Sequence, residues 1–168
     1  EISCSLVGSE MCIRDSLGIV PKTYLPNYKE FYEQRWFTSA LNHPDTNIRL
    51  CGQNVPVSAN LLFDTPDTCF GIEICEDMWA PIPPSSSLAL QGAEIIFNMS
   101  ADNEGIGKHA YVRSLISQQS ARCLAGYVFS SSGFGESTTD VVSPATDLST
   151  KTAAYWQNLN AFLSKSNW

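Results

Sequence analysis

Cys75 is the residue of this sequence best placed for covalent chemistry. It ends the run Thr68-Cys69-Phe70-Gly71-Ile72-Glu73-Ile74-Cys75, which alternates with period two. Cys69, Gly71, Glu73 and Cys75 therefore fall on one face of a predicted strand, and Phe70, Ile72 and Ile74 on the other. Glu76-Asp77-Met78-Trp79 follows at once. A nucleophile at a strand end, on a sharp turn into the next element, stands above the sheet edge. The backbone N–H groups just after it can then point at a developing oxyanion. A thiol suits this position without a histidine base, because it ionises more readily than a hydroxyl and is the better nucleophile. The thiolate still needs a cation, and Lys22, directly after Pro21, is a candidate. The plain alternative is a buried core thiol at 75 and a solvated loop lysine at 22. Residue types alone do not separate the two.

The elements that would position these residues alternate between strand and helix signals. Residues 17–20 and 60–63 are short apolar runs, the second closed by the turn residues Asp64-Thr65-Pro66-Asp67. Pro81 to Pro84 and three serines predict a helix start, with Leu88 inside it and Gly92 as its stop. Residues 93–98 read as a buried strand. Residues 109–125 carry Val112, Leu115, Ile116 and Cys123 at helical spacing, with Gly126 as the expected stop, and residues 127–129 as the next strand. This order implies an α/β layered fold.

Composition narrows the partners. The chain has 168 residues, 43% apolar and 16% charged, enough for one domain with a core. Its net charge of −7, from 10 basic and 17 acidic residues, argues against nucleic acid, which is held by Lys and Arg on phosphates. No apolar run approaches the roughly 20 residues of a membrane helix, and no signal-peptide pattern opens the chain. The cytoplasm is the expected location. The six cysteines form no C-x-x-C pair, and neither His43 nor His109 stands at ligand spacing from a cysteine, so no structural metal site is expected. A disulfide framework is not expected either. The cysteines other than Cys75 read as small buried apolar residues.

Several blocks, in this order, go further: PKTYLPNYKEFYEQRWF, GIEICEDMWAPIPPSS, GAEIIFNMSA and SQQSARCLAGYVFSSSGFGESTTD. Together they resemble the nitrilase-like glutaminase domain of glutamine-dependent NAD synthetases, over residues 17–142. The resemblance implies a partial nitrilase-like α-β-β-α sandwich and a Glu-Lys-Cys catalytic set. Under it, Cys75 matches the nucleophile that forms a thioester with the side-chain amide of glutamine. Lys22 matches the lysine that holds thiolate and oxyanion, and Glu33 the extra glutamate that orients the lysine, with Glu30 in reserve. Tyr28 and Glu76 match positions that contact glutamine. Read without the family, Tyr28 is ordinary packing, Glu33 an exposed carboxylate, Trp79 pocket lining or core, and Asp77 a backbone-binding support for the turn.

The resemblance also implies a division of labour. This domain would release ammonia from glutamine, and a synthetase domain would use it with ATP and magnesium to make NAD. No cofactor is expected within this chain itself. The expected partners are glutamine and the synthetase domain, in a homo-oligomeric parent, with no nucleic acid and no membrane.

Departures from the family pattern are visible. The family's general-base glutamate is expected upstream of Lys22 and has no counterpart, since Glu10 lies in a segment, residues 1–16, that looks like a translated sequencing-adapter peptide (LVGSEMCIRDS). Asp102 stands where the family has a serine that helps bind substrate, and its charge is expected to repel the α-carboxylate of glutamine. Glu136 lies in a family-like block without an assigned role. Residues 143–168 read as an atypical tail, with a possible short helix over 153–163. The expectation is a fragment with little or no activity alone. The alternatives are a stand-alone nitrilase-family amidase and a non-catalytic α/β remnant.

Overall fold

The computed structural model describes residues 16–29, 31–102 and 107–131. The adapter-like segment apart from Ser16, the tail after 142, Glu30 and Glu136 lie outside the described residues. Within them the chain builds one four-stranded sheet, one hairpin and two helices. The strands are β1 (Thr46–Leu50), β2 (Gln53–Val57), β3 (Leu62–Asp64), β4 (Cys69–Ile74), β5 (Ile95–Ser100) and β6 (Gly126–Ser131), and the helices are α1 (Pro84–Leu90) and α2 (Lys108–Cys123).

The sheet runs in the order β3-β4-β5-β6. β3 is antiparallel to β4, while β4, β5 and β6 are parallel and joined through α1 and α2. Parallel neighbours need such long crossovers, and helices supply them. Pro84 opens α1 at the position where its missing N–H costs nothing. Gly92, at φ 111°, makes the turn into β5 as the sequence anticipates.

Two expectations change. Gly126 does not stop α2: it is the first residue of β6, paired in register with Ile95. The helix ends at Cys123, two residues earlier than expected, with Leu124 in the left-handed region at φ 52° and its N–H bonded to the Ser120 carbonyl. The Ala125 N–H bonds the same carbonyl at 3.3 Å, so the backbone of Leu124, held left-handed, makes the cap expected of glycine, and the Ser120 hydroxyl donates to the Ala125 carbonyl beyond it. The hairpin β1–β2 was not foreseen. Its two-residue turn, Cys51-Gly52, takes positive φ at both positions, the twist that favours hairpins. Pro56 within β2 masks the strand pattern. Its carbonyl accepts from Ile19 N–H, and Ile19 forms a parallel bridge to Val57 that ties residues 16–20 to the hairpin.

Both helices pack on one face of the sheet. The core there is Met78, Leu88, Ala93, Ile96, Ile116, Ala125, Tyr127 and Phe129, with Val112, Leu115 and Cys123 against it. Leu88 fills the space left by Gly71: a Cβ there would lie 2.9 Å from the Leu88 Cδ1. The same face also buries polar Glu73, Asn98, Ser85 and Gln119. The opposite face is apolar, with Phe70 stacked on Phe63 and edge-on to Phe97, yet none of these rings is fully buried.

Candidate active site

Cys75 lies at the break between β4 and the following turn. Its φ of 48° is left-handed, a conformation a non-glycine residue adopts only when the surroundings impose it. The chain then makes a tight 3-10 turn over Cys75–Trp79. The turn is clamped by Asp77, which is 1% exposed. One carboxylate oxygen accepts from the backbone N–H of Ile74 (3.0 Å), and the other from those of Thr23 (3.0 Å) and Tyr24 (2.7 Å). A single carboxylate thus fastens the nucleophile's turn to the two residues after Lys22, although the two segments lie some fifty positions apart. Burial pushes the Asp77 carboxyl up to about 6, against the pull of these three N–H groups.

Lys22 and Glu33 form an ion pair, with Lys22 Nζ 2.7 Å from each carboxylate oxygen. Both are partly buried, and Glu33 opens a short 3-10 turn. The Lys22 charge acts on the Cys75 thiol and favours its ionised form, as does a hydrogen bond from the Ala101 N–H, and the Ser100 side chain beside the thiol acts in the same direction. Burial is the larger influence, and with the Asp102 charge it leaves the Cys75 thiol above its ordinary value. Such a thiol stays protonated near neutral pH and needs a base to attack an amide.

Tyr28 and Glu76 meet across the site, the tyrosine hydroxyl donating to the Glu76 oxygens at 3.0 and 3.1 Å. Burial and then the Glu76 bond push the Tyr28 hydroxyl up to about 12. Burial also raises Glu76, while Tyr28 and Lys22 pull it back. Asp102 is not a bare charge: Lys108 Nζ lies 2.5 Å from its Oδ1. The same ammonium sits 5.3 Å from the centre of the Trp79 ring, which stacks on Tyr111. The repulsion expected from Asp102 is therefore partly neutralised by a residue the sequence reading passed over.

The structure brings Cys75, Lys22, Glu33, Tyr28, Glu76 and Asp102 into one electrostatic neighbourhood. Each of the last three acts on another member, and Lys22 and Asp102 act on Cys75. Sequence reasoning gave Asp77 a supporting role without its partners, and missed Lys108, Ser100 and Ala101. For Ser100 and Ala101 the signal was present: a parallel neighbour of β4 in register, with Ile74 opposite Met99, brings the next residues beside Cys75. Among the described residues no three His, Cys, Asp or Glu side chains converge as a metal site. No helix among them is long and apolar enough to cross a membrane.

The sequence matches the carbon-nitrogen hydrolase family over residues 16–161. The chain belongs to that family. This carbon-nitrogen hydrolase chain is 46% identical over 128 residues to the glutamine-dependent NAD(+) synthetase of Mycobacterium tuberculosis (strain ATCC 25618 / H37Rv), a match covering 74% of the chain and 19% of the relative. The Mycobacterium leprae protein of the same name is 42% identical over the same coverage. A solved glutamine-dependent NAD(+) synthetase from Cytophaga hutchinsonii superposes with a TM-score of 0.58 at 28% identity, over 68% of this chain and 18% of that one. The carbon-nitrogen hydrolase chain thus spans about a fifth of the length of the curated relatives it matches. Its mixed α/β architecture is that of the nitrilase-fold domain in these structures.

Proposed function

We propose that this chain carries the nucleophile, lysine and supporting glutamate of a glutamine-amide-hydrolysing site. The observation that carries the reading is the Cys75 turn at φ 48°, fastened by Asp77 to the Lys22 segment, with Lys22 itself held by Glu33. Cys75 Sγ attacks the side-chain amide carbon of glutamine. The carbonyl oxygen takes the negative charge, and the Lys22 ammonium and a backbone N–H just after Cys75 stabilise it. The C–N bond breaks, the thiol proton reaches the leaving nitrogen, and ammonia departs from a thioester. Water then releases glutamate and restores the thiol.

Glu33 orients Lys22 rather than touching substrate. Tyr28, Glu76 and the Asp102–Lys108 pair contact the amino-acid end of glutamine. The raised Cys75 thiol calls for a carboxylate base, and the upstream glutamate implied by the family has no counterpart among the described residues. A reactive alkylating analogue of glutamine, which does not call on that base to expel an amine, is therefore expected to modify Cys75 far more readily than glutamine itself acylates it. The ammonia would serve a synthetase domain, as the name of the relatives, glutamine-dependent NAD(+) synthetase, suggests; we infer that this domain, in a homo-oligomeric parent, is where ATP and magnesium bind, and that this chain itself needs no cofactor.

The test is mass-spectrometric mapping of labelling by a glutamine-shaped diazoketone. Selective modification of Cys75, blocked by excess glutamine and slowed about 100-fold in Lys22→Met, supports the reading. Equal labelling of Cys51, Cys69, Cys75 and Cys123 points to a non-catalytic chain. Labelling blocked by other small amides but not by glutamine points to an amidase of different specificity.

A further inference from the structure

Glu73 is a carboxylate buried under the helices, 1% exposed, and the chemistry above does not use it. Three donors converge on it. The Ser85 N–H donates to one oxygen at 2.8 Å, and the Asn98 amide (3.4 Å) and the Tyr127 hydroxyl donate to the other. No salt bridge to Glu73 occurs among the described residues. A buried carboxylate so placed demands donors and cannot offer one.

That demand has a consequence at Asn98, which is fully buried next to it on β5. The Asn98 Nδ2 bonds both the Glu73 carboxylate and the Cys75 backbone carbonyl, the latter at 3.4 Å. Two groups that only accept therefore face the same end of the amide and fix which way round it lies. The other end, Oδ1, takes the Ser100 hydroxyl at 2.6 Å. The Cys75 carbonyl belongs to the one residue of the turn with left-handed backbone.

We propose that Glu73 and Asn98 are a buried positioning pair for Cys75: Glu73 sets the orientation of the Asn98 amide, and Asn98 holds the Cys75 carbonyl and Ser100 so that the left-handed nucleophile turn persists. The pair acts from the helix side of the sheet, whereas Asp77 clamps the turn from the Lys22 side. A carboxylate is needed at 73 because a glutamine there presents a donor as well as an acceptor and lets the Asn98 amide turn over. The inference rests on Cys75 being the nucleophile.

The experiment measures, on the full chain, the maximal rate and half-saturating concentration of Cys75 labelling by the glutamine-shaped diazoketone, with iodoacetamide labelling of Cys123 as a report on core opening. Glu73→Gln and Asn98→Leu keep the side-chain volume. Each is expected to lower the maximal rate about tenfold to a hundredfold, with half-saturation nearly unchanged and Cys123 no more reactive. Gln119→Leu removes buried bonds to Ser85 and Ser86 in the same core but leaves the pair alone. It is expected to lower thermal stability without slowing Cys75. An unchanged rate in both pair variants overturns the proposal. So does a loss that comes with faster Cys123 labelling, or an equal loss in Gln119→Leu, since the network would then only hold the core. Should Glu73→Gln not fold, Asn98→Leu decides alone. If the unsubstituted chain does not label at Cys75, the functional reading fails and this inference falls with it.

Discussion

The two faces of the four-stranded sheet carry opposite chemistry and opposite cover. The face under α1 and α2 holds Glu73 and Asn98 at 1% and 0% exposure, beside Ile96 and Tyr127. The other face presents Phe63, Phe70, Ile72 and Phe97, and Met99, the neighbour of Asn98 in the same strand, is 39% exposed. Burial here follows what lies on top, not side-chain polarity. Gly71 lets Leu88 sit against β4, which brings α1 over the polar residues and supplies the Ser85 N–H that Glu73 needs. Covering a polar face is tolerable only when every buried group finds a partner. On that face the partners lead to Cys75, while the apolar face contributes surface and no chemistry.

The sharpest way to break this comparison is to truncate one side chain on each face. Leu88→Ala should cost about 2–5 kcal/mol in urea unfolding, as a fully buried leucine does. Phe97→Ala should cost less despite removing more atoms, because its ring, unlike the Leu88 side chain, is not fully buried. Equal losses would mean that the apolar face is as well covered as the other.

A second prediction concerns pH. Asp77 sits at about 6 in the fold against an ordinary value of 3.8, so the fold favours its protonated form. Its contribution to stability is then complete below about pH 4 and is lost as pH rises through about 6, by up to about 3 kcal/mol. Asp77→Asn should flatten that part of the stability curve. It should also slow Cys75 labelling, because an amide cannot accept from Ile74, Thr23 and Tyr24 at both ends. Parallel stability curves for the two proteins between pH 4 and 7 would refute the assignment.

The smallest effect is expected at Gly71. A Cβ there meets Leu88 at 2.9 Å from Cδ1 and 3.2 Å from Cβ, so Gly71→Ala should cost about 1–3 kcal/mol by displacing α1. Leu88→Ala in the same chain should remove most of that penalty. Additive losses would show that Leu88 is not what Gly71 accommodates.

Much of the fold was legible before any coordinates. Period-two alternation located β4, the proline-serine stretch located α1, and helical spacing located α2, because each reflects a local repeat of apolar side chains. The hairpin was not legible, since Pro56 interrupts its pattern and its register depends on Cys51 and Gly52 both adopting positive φ. The stop of α2 was misplaced because Leu124 adopts the left-handed backbone that a glycine usually supplies. In the site, residue types and blocks singled out Cys75, Lys22, Glu33, Tyr28, Glu76 and Asp102. They could not reveal that Lys108 pairs with Asp102, because that contact depends on where α2 begins relative to the end of β5.

What the sequence determined by itself was the inventory: a cysteine at a strand end, a lysine after a proline, carboxylates at set distances along the chain, and a family pattern joining them. Only the tertiary structure decided which face of β4 is covered, that Asp77 joins segments some fifty residues apart, and that Glu73 reaches Cys75 through Asn98. The reason is physical. Periodicity reports which side chains share a face. Whether a face is buried, and whether a buried carboxylate finds its donors, depends on strands and helices that come from distant parts of the chain.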